Sequence, residues 1–257
     1  MTSQSIIVET DGPIVHVILN RPDSYNSMNK SMRMELGSAI NSINDNRDIR
    51  VVIIKGSGKG FCAGADLAEG VGDAVDKMLL EEYQPFLTAI AESPKPFVAQ
   101  IHGPAAGIGG ALAMVCDQVV MSEDAYLYLA FAAIGLIPDG GLNWHLIHAL
   151  GYRRAYEAIV EGRKISATEC LEAGIANKVV AADELENFVS EKAKKLASGA
   201  PLAQAAAKQL LRQAERMTMR EVIEMEANMQ KPLTESDDCR NAIDAFFAKQ
   251  KPVFKGT

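Results

Sequence analysis

Cysteine is scarce in this chain, and none of it is paired in sequence. The 257 residues hold four cysteines, Cys62, Cys116, Cys170 and Cys239, each more than 50 residues from the next and with no CxxC pair. That spacing argues against a disulfide scaffold or a zinc ribbon, and the expectation is buried free thiols in a reducing compartment, the cytoplasm. Long hydrophobic runs are also missing. The longest nearly apolar stretch, Pro104 to Cys116, is interrupted by glycines and falls short of the ~18–20 residues that a membrane span needs. The first dozen residues show no basic start followed by an apolar run, so no export signal is expected. Positive charge is in deficit: 26 Lys and Arg against 33 Asp and Glu leave a net charge of −7. Such a balance disfavours a protein built to grip a nucleic-acid backbone. No internal repeat and no low-complexity tract is evident. What is present, 48% hydrophobic and 23% charged residues, is the balance of an ordinary globular chain long enough to bury a core without metal or disulfide.

The apolar pattern alternates between strands and helices. Ile6–Val8 and Ile14–Leu19 read as strands around the turn Asp11-Gly12-Pro13, and Pro22 closes the second. Met32, Leu36, Ala39, Ile40 and Ile43 recur at helical spacing over Lys30–Ile43. Val51–Ile54 is a short, wholly apolar strand of the kind buried on both faces. A helix is expected over Met78–Ser93, closed by Pro94 and Pro96. A strand over Phe97–Ile101 follows, then short strands at Gln118–Met121 and Ala125–Leu129. Ser166-Ala167-Thr168-Glu169 has the form of a capping box. Helical patterns cover Glu184–Ser198, Ala203–Met217, Arg220–Met229 and Asp238–Lys249. Together these predict a mixed α/β core to about residue 195 and a helical segment beyond it.

Several chemical signatures are absent. Gly56-Ser57-Gly58-Lys59-Gly60 is followed by Phe61, so the dinucleotide fingerprint is incomplete, and the same run does not make a Walker loop. There is no GxSxG nucleophile elbow. His145 and His148 have no third ligand within reach in sequence and read as helix-surface or core histidines. Two glycine-rich strand ends remain. One is Val51–Ile54 leading to Ala63-Gly64-Ala65-Asp66-Leu67, and the other is Phe97–Ile101 leading to Gly103-Pro104-Ala105-Ala106-Gly107-Ile108-Gly109-Gly110. Small residues let a backbone approach a ligand, and a helix start offers unpaired N–H groups. Two such ends that converge form an oxyanion hole; each alone is equally a tight turn with close helix packing.

Four segments occur in order: Asn20-Arg21-Pro22 with Asn26 and Asn29, Phe61 to Leu67, Gly103 to Asp117, and Ile134-Gly135-Leu136-Ile137-Pro138-Asp139-Gly140-Gly141. Ala173-Gly174-Ile175-Ala176 and the stretch Phe246–Phe254 add to them. This combination resembles the crotonase superfamily of enoyl-CoA hydratases and isomerases across almost the whole chain. The resemblance implies an α/β fold, a crotonase-like spiral of ββα units over residues 1–195 that holds the CoA and acyl site. A helical C-terminal segment, 196–257, would mediate trimerisation, with trimers often paired into hexamers. Met217, Met219, Met225 and Met229 cluster in that segment, more apolar surface than a peripheral helix needs.

The resemblance also implies roles for residues. The main-chain N–H groups of Ala65 and Ile108 would hold an acyl-CoA thioester oxygen; glycine is common at the second position, and the Ile108 side chain is expected to narrow the acyl pocket. Ala63, Gly64, Asp66 and Leu67 would line the adenine pocket of CoA and Tyr25 the pantetheine side. Lys249 would meet the CoA phosphates from a neighbouring subunit, or is a solvated helix charge. Phe131, Ile137, Leu142 and Trp144 are expected in the acyl pocket, with Leu67 to Glu82 and the Trp144 helix setting chain length. The two glutamates of the hydratases are replaced by Ala111 and Phe131, which cannot accept a proton. The remaining acid is Asp139, a proton shuttle between C2 and C4 if burial raises its pKa, or a simple helix cap; Asp66 and Asp117 read as structural. The expected activity is therefore an acyl-CoA isomerase with no cofactor or metal, coenzyme A being part of the substrate. Alternatives are a hydratase with atypical acids, a dehalogenase- or hydrolase-like member using Asp139 as nucleophile, and a CoA binder without catalysis.

Overall fold

The computed structural model of the protein describes residues 4–70 and 74–257. Among the described residues nine strands form two sheets: β1 (Ile6–Asp11), β2 (Ile14–Leu19), β3 (Val51–Gly56), β4 (Phe97–Ile101), β5 (Pro104–Ala106), β6 (Gln118–Ser122), β7 (Tyr126–Tyr128), β8 (Lys164–Ser166) and β9 (Lys178–Val180). Six of them order as β1-β2-β3-β4-β6-β9, antiparallel only at the β1–β2 hairpin and parallel thereafter. The other three form a small sheet, β5-β7-β8. The helices are α1 (Lys30–Asp45), α2 (Val75–Lys77), α3 (Gln84–Ala91), α4 (Ile108–Val115), α5 (Leu142–Val160), α6 (Ala167–Glu172), α7 (Leu185–Ala197), α8 (Pro201–Ala214), α9 (Met219–Thr234) and α10 (Asp237–Phe247).

The large sheet is covered on both faces, which is why β3 is apolar throughout. Val52 and Ile54 face the main core with α1, α3 and α4, while Val51 and Ile53 face the second core under α7. The capping box at Ser166 and Glu169 is present at the start of α6. The single helix expected over Met78–Ser93 is instead divided: α2 passes into a π-helical stretch, Met78–Tyr83, and then into α3. Pro85, at the start of α3, has no N–H for the carbonyl four residues back, so the ordinary α-register cannot run through unbroken.

The C-terminal helices differ in how they are held. Lys208 on α8 donates to Ile90 O, Lys95 O and Asp117 Oδ2 at 2.8, 3.0 and 2.8 Å, and Arg212 donates to Val115 O at 2.7 Å. By contrast, α9 has no buried residue and α10 only Asp238. Met219, Ile223, Ile243, Phe246 and Phe247 are exposed on them.

Candidate active site

Two strand ends build the site. Beyond β3 the chain runs through Cys62, Gly64 and Ala65; beyond β4 it turns at Gly103 into β5 and α4. Main-chain bonds join the two runs, Cys62 N to Pro104 O (3.0 Å) and Ala106 N to Cys62 O (2.8 Å). On the other side Met28 N donates to Gly64 O (2.7 Å) and Asp66 N to Met28 O (3.2 Å). Contact is so close that side chains do not fit: Gly64 has φ +101°, and a Cβ there would lie 3.2 Å from Ala106 O. At Gly109 a Cβ would lie 2.7 Å from Cys62 O, so the first turn of α4 is pressed against the other loop. Asn26, fully buried, fastens the base, donating to Ser57 O and Gly60 O and accepting from Arg21 N. Asn29 caps α1 by accepting from Met32 N at 2.9 Å.

Ala65 and Ile108 consequently open onto one cavity of about 540 Å³. Among the described residues, neither of their main-chain N–H groups donates to a protein acceptor. For Ile108 the reason is its place as the first residue of α4, where no carbonyl lies four residues back within the helix. Phe131, Ile134 and Leu136 make an apolar wall. At the other end Arg33, itself only 6% exposed, binds Glu82 through Nε (2.6 Å), Glu69 (3.1 Å) and Met28 O (3.0 Å).

Asp139 lines the same cavity. Its Oδ1 is buried and accepts no hydrogen bond among the described residues. Burial raises the carboxyl from 3.8 to about 6, against a smaller opposing effect of its own main-chain N–H, because desolvation costs the carboxylate more than the neutral acid. The side chain does not cap α5: the cap is Gly141, and Asp139 contributes only its carbonyl, to Leu142 N at 3.0 Å. Gly140 next to it has φ +60°, and Ile108 Cδ1 occupies the space that a Cβ would need. The isoleucine in the second loop thus packs beneath the Asp-Gly-Gly turn. Cys62 is buried behind the loops, its thiol pushed up to about 11 by desolvation.

Ala63, Gly64, Ala65, Asp66, Leu67, Ile108, Phe131 and Asp139 are brought together around this cavity. Asp66 is bonded to Arg21 (2.7 Å) and to Ala68 N (3.1 Å), which pulls its carboxyl below the usual range. Asp117 accepts from Phe97 N and Lys208 and pairs with Arg212, a structural arrangement. The expected acyl-pocket set needs correction at three positions. Ile137 is 76% exposed, and Leu136 takes the inward place. Helical spacing from the start of α5 turns Leu142 and Leu146 into the core and Trp144 outward. Trp144 lines a separate groove of about 1090 Å³ between α3, α5 and α8, and Leu142 packs 3.7 Å from where a Cβ of Gly110 would stand. Tyr25 and Lys249 are exposed and do not line the cavity; the Tyr25 carbonyl accepts from Ala63 N at 2.9 Å.

Sequence reasoning missed Arg33, and it marked Glu69, Met78 and Glu82 only as part of a longer segment. A polar residue on an amphipathic helix carries no sign that two carboxylates will bury it. Among the described residues there is no group of three His, Cys, Asp or Glu side chains suited to a metal. His148 bonds Trp144 O, and burial holds His145 down at about 4. No helix among the described residues is long and apolar enough to cross a membrane.

This architecture is that of crotonase-fold enoyl-CoA hydratases. The structure of an enoyl-CoA hydratase from Bacillus anthracis superposes with a TM-score of 0.94 at 31% identity, covering 99% of this chain and 100% of that one. Residues 9–257 match the family described as Enoyl-CoA hydratase/isomerase. A probable enoyl-CoA hydratase of Rhodobacter capsulatus is 33% identical over 100% of both chains, and 1,2-epoxyphenylacetyl-CoA isomerase of Escherichia coli is 32% identical over 98% of both. The chain belongs to the enoyl-CoA hydratase/isomerase family.

Proposed function

We propose that the protein is an acyl-CoA isomerase that converts a 3-enoyl-CoA to a 2-enoyl-CoA, with Asp139 as proton shuttle. The Asp139 carboxylate, with one buried and unpaired oxygen, on the same cavity as two unused main-chain donors is the observation that carries this reading. Asp139 takes a proton from C2; the C2–H electron pair delocalises through the C3–C4 double bond and onto the thioester oxygen. The N–H groups of Ala65 and Ile108 receive that oxygen, each donor contributing about 3 kcal/mol once charge develops. The protonated Asp139 then returns the proton at C4, leaving the double bond between C2 and C3. A carboxyl group near 6 suits both halves, since it gives and takes a proton close to ambient pH. Ala63, Gly64, Asp66 and Leu67 would hold the CoA end at the mouth. The isomerase name of the Escherichia coli relative supports the same reading.

Hydration, the activity named for other relatives, needs further groups to position a water. Ala111 and Phe131 carry no acid, and Glu69 and Glu82 are bonded to Arg33. The test supplies purified protein with 3-enoyl-CoA and, separately, 2-enoyl-CoA. Isomerisation of the first, lost in Asp139→Asn, is expected; rapid hydration of the second, or an Asn variant as active as wild type, overturns the proposal.

The exposed apolar side chains of α9 and α10 support a homotrimer built through the C-terminal helices, the setting in which Lys249 would reach a neighbour's CoA phosphates. Light scattering should give a mass of three chains or a multiple of three, and a monomer would contradict it.

A further inference from the structure

A second polar atom at this site has no partner. Tyr83 is 1% exposed, and its hydroxyl makes no hydrogen bond among the described residues, the same condition as Asp139 Oδ1. Packing brings the segments that carry them together. Leu87 on α3 comes within 3.4 Å of where a Cβ of Gly140 would stand, next to Asp139. Tyr83 lies one helical turn before Leu87 and therefore on the same face. It also ends the π-helical stretch whose Met78 and Glu82 line the cavity. Burial, and then the charge of Asp139, hold the phenol above its ordinary pKa, which places the two groups within electrostatic reach. Their chemistry is complementary: a phenol donates, and an ionised carboxylate only accepts.

We propose that Tyr83 is a positioning residue for Asp139, its hydroxyl donating towards the carboxylate directly or through one water and so fixing its orientation and favouring its ionised form. This rests on the isomerase reading for its kinetic consequence but not for the pairing itself. The competing groups are already engaged or uncharged. Arg33, 5.7 Å from the Tyr83 ring centroid, acts on the phenol in the opposite sense to Asp139 but is itself bound to Glu82, Glu69 and Met28 O. Lys30 faces Glu82 at 3.7 Å, and Cys62 is held as the neutral thiol. Removing an isolated buried hydroxyl would be neutral or stabilising, whereas removing one that serves a carboxylate takes away a donor from a charged acceptor.

The test is the titration of the Asp139 carboxyl in substrate-free protein, followed as the infrared band that disappears in Asp139→Asn. Burial without donation from Tyr83 places the midpoint near 6, so wild type should titrate below that value. In Tyr83→Phe, which keeps the ring packed against Phe86, the midpoint should rise to near 6. Turnover at pH 5 should fall several-fold, with KM unchanged. Difluorotyrosine at position 83, a stronger donor, should move the midpoint down, and it covers the case of a poorly folding Phe variant. A midpoint that stays put in either variant overturns the proposal. If the midpoint moves while no acyl-CoA is isomerised, the pairing stands and the isomerase reading falls.

Discussion

Asp117 and Asp139 are both partly buried carboxylates, one just beyond the C-terminal end of α4 and one over its first turn, and they are used in opposite ways. Asp117 is saturated: Phe97 N and Lys208 at 2.8 Å each and Arg212 at 3.2 Å tie β4, the end of α4 and α8 together. Asp139 lines a cavity and has one buried oxygen without a partner. A carboxylate surrounded by donors holds structure, whereas one that burial desolvates can exchange a proton near neutrality. The reactivity proposed for Asp139 goes with a missing hydrogen bond at Oδ1, a condition that the Tyr83 hydroxyl shares.

The contrast can be broken most forcefully at Asp139. Asp139→Asn should lower isomerase turnover about 10³-fold, within the usual span for a proton-transfer group, without lowering the melting temperature at pH 8. Asp117→Asn should do the reverse. It strands Lys208, whose side chain is 9% exposed, and should cost about 3 kcal/mol in urea unfolding, with turnover per folded molecule unchanged. If both variants lose activity equally, the distinction between the two carboxylates fails.

A smaller effect sharpens the same point through pH. The folded-state pKa of Asp139 lies above its unfolded value, so the native state binds more protons between the two values and stability falls as pH rises from about 4 to 6. Asparagine cannot ionise. Asp139→Asn should therefore gain about 2 kcal/mol on wild type between pH 4 and pH 8, measured as the difference of two urea midpoints. A gap independent of pH would mean that Asp139 is not desolvated.

The strands and the two glycine-rich strand ends were legible because apolar alternation and glycine requirements are local signals, whereas the pairing of the loops and the candidate aspartate came from the resemblance to the crotonase superfamily. Gly64 and Gly109 sit where a Cβ would strike the facing loop, and such constraints show in the residues themselves. What was not legible depends on rotation about a helix axis or on a partner distant in sequence. Trp144 pointed outward because α5 begins at Leu142, and Ile137 because Leu136 took the inner place. Tyr83 and Glu82 reached the site through a π-helical register that no periodicity argument over Met78–Ser93 contains. Arg33 could be buried only because Glu69 and Glu82, far along the chain, meet it.

The most direct test follows hydrogen itself. A 3-enoyl-CoA deuterated at C2 is converted by wild type and by Asp139→Asn in ordinary water, and the product is read by mass and NMR. The account predicts a 2-enoyl-CoA with part of the deuterium transferred to C4, and conversion by the variant about 10³-fold slower. A 3-hydroxyacyl product, or deuterium transfer undiminished in Asp139→Asn, would contradict it.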